Sequence, residues 1–356
     1  KDRSIAKRIH MILKNTTHRI PLLYLMLFTL VWSCATKTNT PQDDHLNDIL
    51  TDDYSARIDS LIETKEPRIF NGIIQIKKGG ETRYLKEHGY SDMDQKIPIS
   101  IDDKFRIMSN SKQVTAVLIL REVEKGTIDL NSPISEYLAN LKPIWADSVT
   151  VHQLLNMSSG ISNLEMPLLF KPGNGYHYSN PGYGLLGRII EEVSGKSYAE
   201  NANDLFEEFG MNNTFCYEIN GENKGLINSY ALLEARTSTV DFQRFGFDEE
   251  RWSDFLPAGG IISDAHDLFR WDIALHNGEI LNSDHYQKMV TPSNSGPHAV
   301  FDNDTIGYGY GLRINDKYPI KYIGHGGRGF GFVSLKIYIP ENDVDDNEWE
   351  NIYYMD

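Results

Sequence analysis

Three short groups of residues, in a fixed order, carry the chemistry legible in this chain. Ser109-Asn110-Ser111-Lys112 opens a predicted helix, Tyr178-Ser179-Asn180 follows, and His325-Gly326-Gly327 comes last on a predicted strand. Together they describe acyl transfer at a serine, with a lysine and a tyrosine moving the protons in place of a histidine–aspartate pair. Each group alone has a bland reading. A serine at a helix start is most often an N-cap. A lysine there is usually solvated, and a histidine among glycines is usually a loop residue. Tyr178 and Asn180, flanked by Pro172-Gly173 and Pro181-Gly182, read as a turn.

The order and the context override those readings. S-x-x-K turns up about once or twice by chance in a chain of this length, and Ser4 to Lys7 in the basic N-terminal segment is a second match. Y-x-N occurs once. H-x-G occurs again at His276-Asn277-Gly278, which follows a helical run over 267–275 and reads as a helix end. His325 instead stands between strand-like runs at 321–323 and 331–339. Rival centres are poorer. There is no G-x-S-x-G elbow, no H-E-x-x-H, no cysteine spacing for a metal and no nucleotide loop.

The elements that must hold these groups are also legible. From Ser111 to Glu124, Val114, Val117, Leu118 and Val123 recur at helical spacing, and Gly126 stops the helix. Ser109 is thus expected at a helix N-terminus, where free N–H groups and the dipole favour a developing anion. Lys112 lies one turn on, on the same face. Burial beside a serine makes a lysine easier to deprotonate and able to accept the serine proton. Residues 53–65 read as a helix, and 70–78 with 82–89 as a hairpin joined at Gly79-Gly80. Residues about 130 to 270 read as mostly helical, with turns at Pro172-Gly173 and Gly259-Gly260, and strand patterns return from about Ile306. Strands at both ends with helices between fit an α/β (α+β) fold. One antiparallel sheet is flanked by helices, a mostly helical subdomain is inserted, and the site lies between them.

From about Phe70 to Val344 the chain resembles the serine β-lactamase-related family, which holds class C β-lactamases, D-Ala-D-Ala peptidases, D-amino-acid peptidases and esterases. The likeness rests on Phe105 to Gln113, Glu124 to Leu130, Leu154 to Ile161, the Pro172 to Gly187 region, Ala258 to Ile261, Gly307 to Leu312 and Gly324 to Gly327. It implies a β-lactamase/transpeptidase-like fold in which Ser109 forms an acyl-enzyme. Lys112 and Tyr178 would share the general-base and general-acid work, and which of them takes the serine proton stays open. Asn180 would hold Lys112 and the substrate amide. His325 and Gly327 would line the cleft, and the N–H groups of Ser109 and Arg328 would form the oxyanion hole. Substrates implied are D-amino-acid peptides, small esters or amides, and β-lactams, with no cofactor and no metal. The alternatives are a non-catalytic penicillin- or wall-binding protein and a truncated, inactive homologue.

Three departures stand out. The interval from Gly160 to Pro172 is short, so the cleft rim looks trimmed. His325 stands where many β-lactamases have lysine, and its charge is only partial near neutral pH, which leans toward peptidases and esterases. After Val344 comes the acidic run Asp345 to Glu350, where an apolar strand and then a helix are expected. The sheet is therefore expected to lack an edge strand and a cover.

The chain has 356 residues, a net charge of −15 and 40% hydrophobic residues, enough for a large core and more than one subdomain. No basic stripe runs through it, which argues against nucleic acid as a partner. A small molecule or peptide, including peptidoglycan stem peptides, fits better. Residues 1–34 read as an export segment with Met11 a plausible start. Lys14, His18 and Arg19 precede the apolar run Leu22 to Trp32, which is too short for a comfortable membrane span. Val31-Trp32-Ser33-Cys34 resembles a bacterial lipoprotein cleavage box, despite the unusual Trp32. It implies lipidation of Cys34, attachment to a membrane through that lipid, and a periplasmic or cell-envelope location. Residues 35–52 read as a polar tether, 53–344 as the hydrolase domain and 345–356 as an atypical acidic tail. With Cys34 and Cys216 the only cysteines, no disulfide framework is expected, and Cys216 reads as a core thiol.

Overall fold

The computed structural model describes residues 54–63, 70–233, 236–240, 245–297, 305–316, 321–340 and 349–355. The export segment, Cys34 and the tether lie outside these residues. The chain divides into two units, residues 1–70 with 299–303, and 71–298 with 304–356. In the first, the expected helix is α1, Tyr54–Ile62.

The second unit opens with a hairpin of β1 (Gly72–Lys78) and β2 (Glu81–His88). Its turn residues Gly79 and Gly80 both have positive φ, which only glycine adopts freely. Short strands β3 (Tyr90–Asp92), β4 (Ile97–Pro98) and β5 (Phe105–Arg106) lead to a 3₁₀ turn, Met108–Asn110, and then to α2, Ser111–Lys125. Gly126 ends α2 at φ 76°, as expected. The helical stretch holds α3 (Val151–Leu155), α4 (Asn180–Ser194) and α5 (Tyr198–Glu208). Strands β6 (Phe215–Cys216), β7 (Tyr230–Leu233) and β8 (Arg236–Thr239) interrupt it before α6 (Glu249–Gly259). Then come β9 (Ile261–Ser263), α7 (Ala265–His276) and α8 (Ser283–Val290). The remaining strands are β10 (Asn294–Pro297), β11 (Thr305–Tyr308), β12 (Arg313–Asn315), β13 (Tyr322–Gly329), β14 (Phe332–Pro340) and β15 (Trp349–Met355).

The main sheet has eight strands in the order β10-β11-β12-β13-β14-β15-β1-β2, all neighbours antiparallel. The expected fold class holds. The expected gap after Val344 does not. Trp349–Met355 lies between β14 and β1, with Ile352 opposite both Ile337 and Ile76. The acidic run hid the short β-prone run that follows it, Ile352-Tyr353-Tyr354 within Trp349–Met355.

Two further differences have physical reasons. Strand pairing begins at Asn294, earlier than expected, because Ser295 and Gly296 pair with β11 despite low β-propensity. A three-stranded sheet, β5-β9-β6, went unread because its strands have only two or three residues. Helix α2 is buried on every side from Ser111 to Leu120, so Lys112, Gln113 and Thr115 are core residues. On β14, Phe332, Ser334 and Lys336 alternate onto a buried face, and Lys336 forms a buried ion pair with Asp272 of α7. His276 is the last residue of α7, as expected, and its ring stacks on Tyr338 at 3.6 Å between centroids. Cys216 is buried, and burial pushes its thiol up to about 12.

Candidate active site

Ser109 sits in the 3₁₀ turn that feeds α2, and neighbouring strands fix this turn. The Ile107 N–H donates to the Ile261 carbonyl at 3.0 Å, and the Ile261 N–H donates to Ser111 Oγ at 3.1 Å. Ser334 Oγ donates to the Ile107 carbonyl at 2.7 Å and accepts from Asn110 Nδ2 at 2.8 Å. Met108, just before the serine, is held at φ 50°, a left-handed conformation that costs a non-glycine residue roughly 1 kcal/mol or more. Strand β13 comes close here. A Cβ on Gly327 would run into the Ile107 carbonyl, Ser334 Oγ and Met108, so only glycine lets the strand pass. Gly327 therefore lies against the serine turn, and Arg328 follows it on the strand.

Lys112 is fully buried one turn beyond Ser109. Its Nζ lies 3.3 Å from Ser109 Oγ, donates to Asn180 Oδ1 at 2.8 Å and donates to the Ala258 carbonyl at 2.7 Å. The last acceptor is one of the carbonyls left free at the C-terminus of α6. The neighbouring Pro257 carbonyl takes the Thr115 hydroxyl of α2 at 2.6 Å. Asn180 is the first residue of α4, which Ser179 caps by accepting from the Gly182 N–H at 3.0 Å. Helices α4 and α6 meet at two glycines. A Cβ on Gly184 would stand 2.6 Å from the Asp254 carbonyl, and one on Gly187 would strike the Pro257 ring. This close approach brings Asn180 and Ala258 to the same amine.

Burial, and then the charge of Arg313, hold Lys112 well below the usual lysine range. Tyr178 is oppositely placed. Burial pushes its phenol well up, although the Ser109 hydroxyl and the Arg313 charge both favour the phenolate. Lys112 Nζ lies 4.7 Å from the centre of the Tyr178 ring and 5.4 Å from that of Tyr183. His325 is buried on β13, with its ring 6.0 Å from that of Tyr178. Its Nδ1 donates to the Gly326 carbonyl at 2.7 Å, and its Nε2 lies 3.3 Å from the Tyr308 hydroxyl.

Ser109, Lys112, Tyr178, Asn180, His325 and Gly327 therefore converge from the 3₁₀ turn, α2, α4, β13 and the loop before α4. Three participants escaped the sequence reading. The Ala258 carbonyl is a backbone group with no residue-type signal. Tyr308 and Arg313 pair directly across β11 and β12, and Gly324 is opposite Arg313 on β13. An arginine inside the otherwise apolar run Tyr310 to Ile314 was the available signal. Among the described residues, no cluster of three or more His, Cys, Asp or Glu side chains can hold a metal. No helix among them is long and apolar enough to cross a membrane.

Comparison with known proteins bears on the family and the fold. The chain is 27% identical to penicillin-binding protein 4* of Bacillus subtilis over 339 residues, covering 82% of this chain and 73% of that one. It is 28% identical over 250 residues to protein flp of Staphylococcus aureus, covering 62% of this chain but only 49% of that protein, about half its length. Among solved structures, a penicillin-binding protein from Bacillus halodurans aligns with a TM-score of 0.66 at 24% identity, covering 80% of this chain and 91% of that one. A D-amino acid amidase from Ochrobactrum anthropi aligns with a TM-score of 0.64 at 23% identity, covering 88% and 91%. At those identities the structural likeness defines the fold. With the cluster of Ser109, buried Lys112 and Tyr178, it defines the general class of serine hydrolases of the β-lactamase/penicillin-binding fold. The family described as Beta-lactamase matches residues 63–344, and the chain belongs to it.

Proposed function

We propose that this chain hydrolyses acyl compounds through an acyl-Ser109 intermediate, with Lys112 as the base and Tyr178 as the acid. The observation that carries the reading is the surroundings of Lys112 Nζ. A neutral amine has two N–H bonds and one lone pair. The Ala258 carbonyl and Asn180 Oδ1 take the two N–H bonds, which leaves the lone pair for the Ser109 proton. Burial favours this neutral amine, and it also favours the protonated phenol of Tyr178.

Lys112 takes the serine proton as Oγ bonds to the acyl carbon, and the carbonyl electrons move to the oxygen. The Ser109 and Arg328 N–H groups are assigned to that oxyanion. Collapse breaks the bond to the leaving nitrogen or oxygen, which takes the Tyr178 proton, and Lys112 then reprotonates Tyr178. Water attacks the acyl-enzyme and frees the acid and Ser109. His325 and Gly327 line the cleft.

The substrates proposed are D-amino-acid peptides such as peptidoglycan stem peptides, small esters or amides, and β-lactams. Support comes from the likeness to a penicillin-binding protein and to a D-amino acid amidase. The proposal includes export to the periplasm or cell envelope and lipid attachment at Cys34. A mature protein from its host with no lipid mass on Cys34 would remove that part.

The test is intact mass after incubation with benzylpenicillin, beside Ser109→Ala. A Ser109-dependent adduct that persists marks slow deacylation, as in a sequestering or peptidase-like protein. Drug hydrolysed only by the wild type marks a lactamase. Turnover of any substrate undiminished in Ser109→Ala refutes the proposal.

A further inference from the structure

We propose that Arg313, and not His325, supplies the fixed positive charge that sets proton transfer among Ser109, Lys112 and Tyr178, an inference that rests on the function proposed above.

Arg313 projects from β12 and is 8% exposed. Its guanidinium carbon lies 5.6 Å from the centres of both the Tyr178 and Tyr308 rings. Its Nε has no hydrogen-bond partner, and among the described residues no carboxylate pairs with it. The groups facing it are Tyr176, Tyr178, Tyr308 and Tyr322, with Lys112 beyond. None of them carries a negative charge at neutral pH while its proton stays in place. The positive field therefore reaches the reacting groups without compensation.

His325 is poorly suited to that task. An imidazole gains and loses its charge near neutral pH, whereas a guanidinium keeps it. Both His325 nitrogens are already engaged, one by a carbonyl and one by a phenol. A permanent cation beside Lys112 disfavours the ammonium, and beside Tyr178 it favours the phenolate. Both effects push the proton equilibria toward lower pH. Arg313 is thus a positioning residue that acts on Lys112 and Tyr178. It need not touch the substrate.

The test is the pH dependence of kcat/KM for p-nitrophenyl acetate, an uncharged ester that offers a carboxylate-binding arginine nothing to bind. The full chain is compared with Arg313→Met, Arg313→Lys and His325→Gln, with Ser109→Ala as background. Loss of the charge in Arg313→Met is expected to move the acid limb up by about one pH unit, which lowers the rate at pH 7 about tenfold. Arg313→Lys is expected to keep the wild-type limb, and His325→Gln, which alters the cleft lining and lowers the rate, to leave the position of the limb in place. Where Arg313→Met does not fold, Arg313→Gln takes its part. An unmoved limb in the uncharged variants overturns the proposal. So does an equal shift in Arg313→Lys, or a limb that moves with His325. Ester turnover that survives Ser109→Ala instead overturns the reading of the site itself.

Discussion

Replacing Gly184 by alanine tests whether the approach of α4 to α6 assembles the site. The new methyl would stand 2.6 Å from the Asp254 carbonyl, whereas ordinary contacts begin at 3.4 Å. The helices must part by about 0.8 Å, because the Asp254 carbonyl is backbone, the alanine Cβ is fixed to its own, and neither can swing aside. Ala258 lies one turn beyond Asp254 on α6, and its carbonyl accepts from Lys112 at 2.7 Å. The same displacement takes that bond to about 3.5 Å, past useful hydrogen-bond range. Overpacking costs about 1–3 kcal/mol, offset by up to about 1 kcal/mol from alanine's better helix propensity. The net loss of stability is therefore modest, about 1 kcal/mol. The effect on rate is larger, since a misplacement approaching 1 Å reduces turnover about a hundredfold. A thermal melt and kcat/KM on p-nitrophenyl acetate, measured on the same preparation, separate the two effects. A variant with turnover within twofold of wild type refutes the idea that this helix contact holds Lys112 in place.

Two further predictions concern groups away from the reacting atoms. Asp272→Asn leaves the buried Lys336 ammonium unpaired and is expected to cost about 3–5 kcal/mol, lowering the melting temperature by roughly 10 °C. Adding Lys336→Met is expected to recover most of the loss, and a double variant no more stable than Asp272→Asn would contradict this. The Cys216 thiol, buried and pushed up to about 12, is expected to resist iodoacetamide at pH 8 in the folded protein and to react once it is unfolded in guanidinium, as read by mass.

How far the sequence carried the reading depended on the kind of signal. Helix α2 was legible because apolar residues recur at Val114, Val117 and Leu118 and a glycine closes it. The burial of its first ten residues, Ser111 to Leu120, was not, because Lys112, Gln113 and Thr115 look like a solvated face until other elements cover them. The convergence of Ser109, Lys112, Tyr178 and Asn180 was readable only as an ordered set, since each spacing alone is common. Arg313 was passed over because its role depends on partners across two strands, and cross-strand register is not written in local pattern. β15 was misread because four acidic and polar residues, Asp345 to Glu348, precede a strand whose β-prone run Ile352-Tyr353-Tyr354 comes only after Glu350 and Asn351. Ala258 could not be found at all, because a carbonyl at a helix end belongs to every residue type alike.

The position of β15 has a consequence for how the chain is made. The β1–β2 hairpin is among the first segments of the sheet to be synthesised, yet its lateral neighbour is the last strand described. Local pairing can form that hairpin early, but a lone two-stranded ribbon is marginal in water. It must wait for residues 349–355 before it joins the strands that carry His325 and Gly327. The closing contact, Ile76 with Ile352, is among the most sequence-distant in the fold, and such contacts slow folding. On the ribosome, the helices around Ser109 and the β10–β14 strands can meet while the β1 edge still has open backbone groups. That interval is when the chain is most exposed to pairing with a second copy of itself.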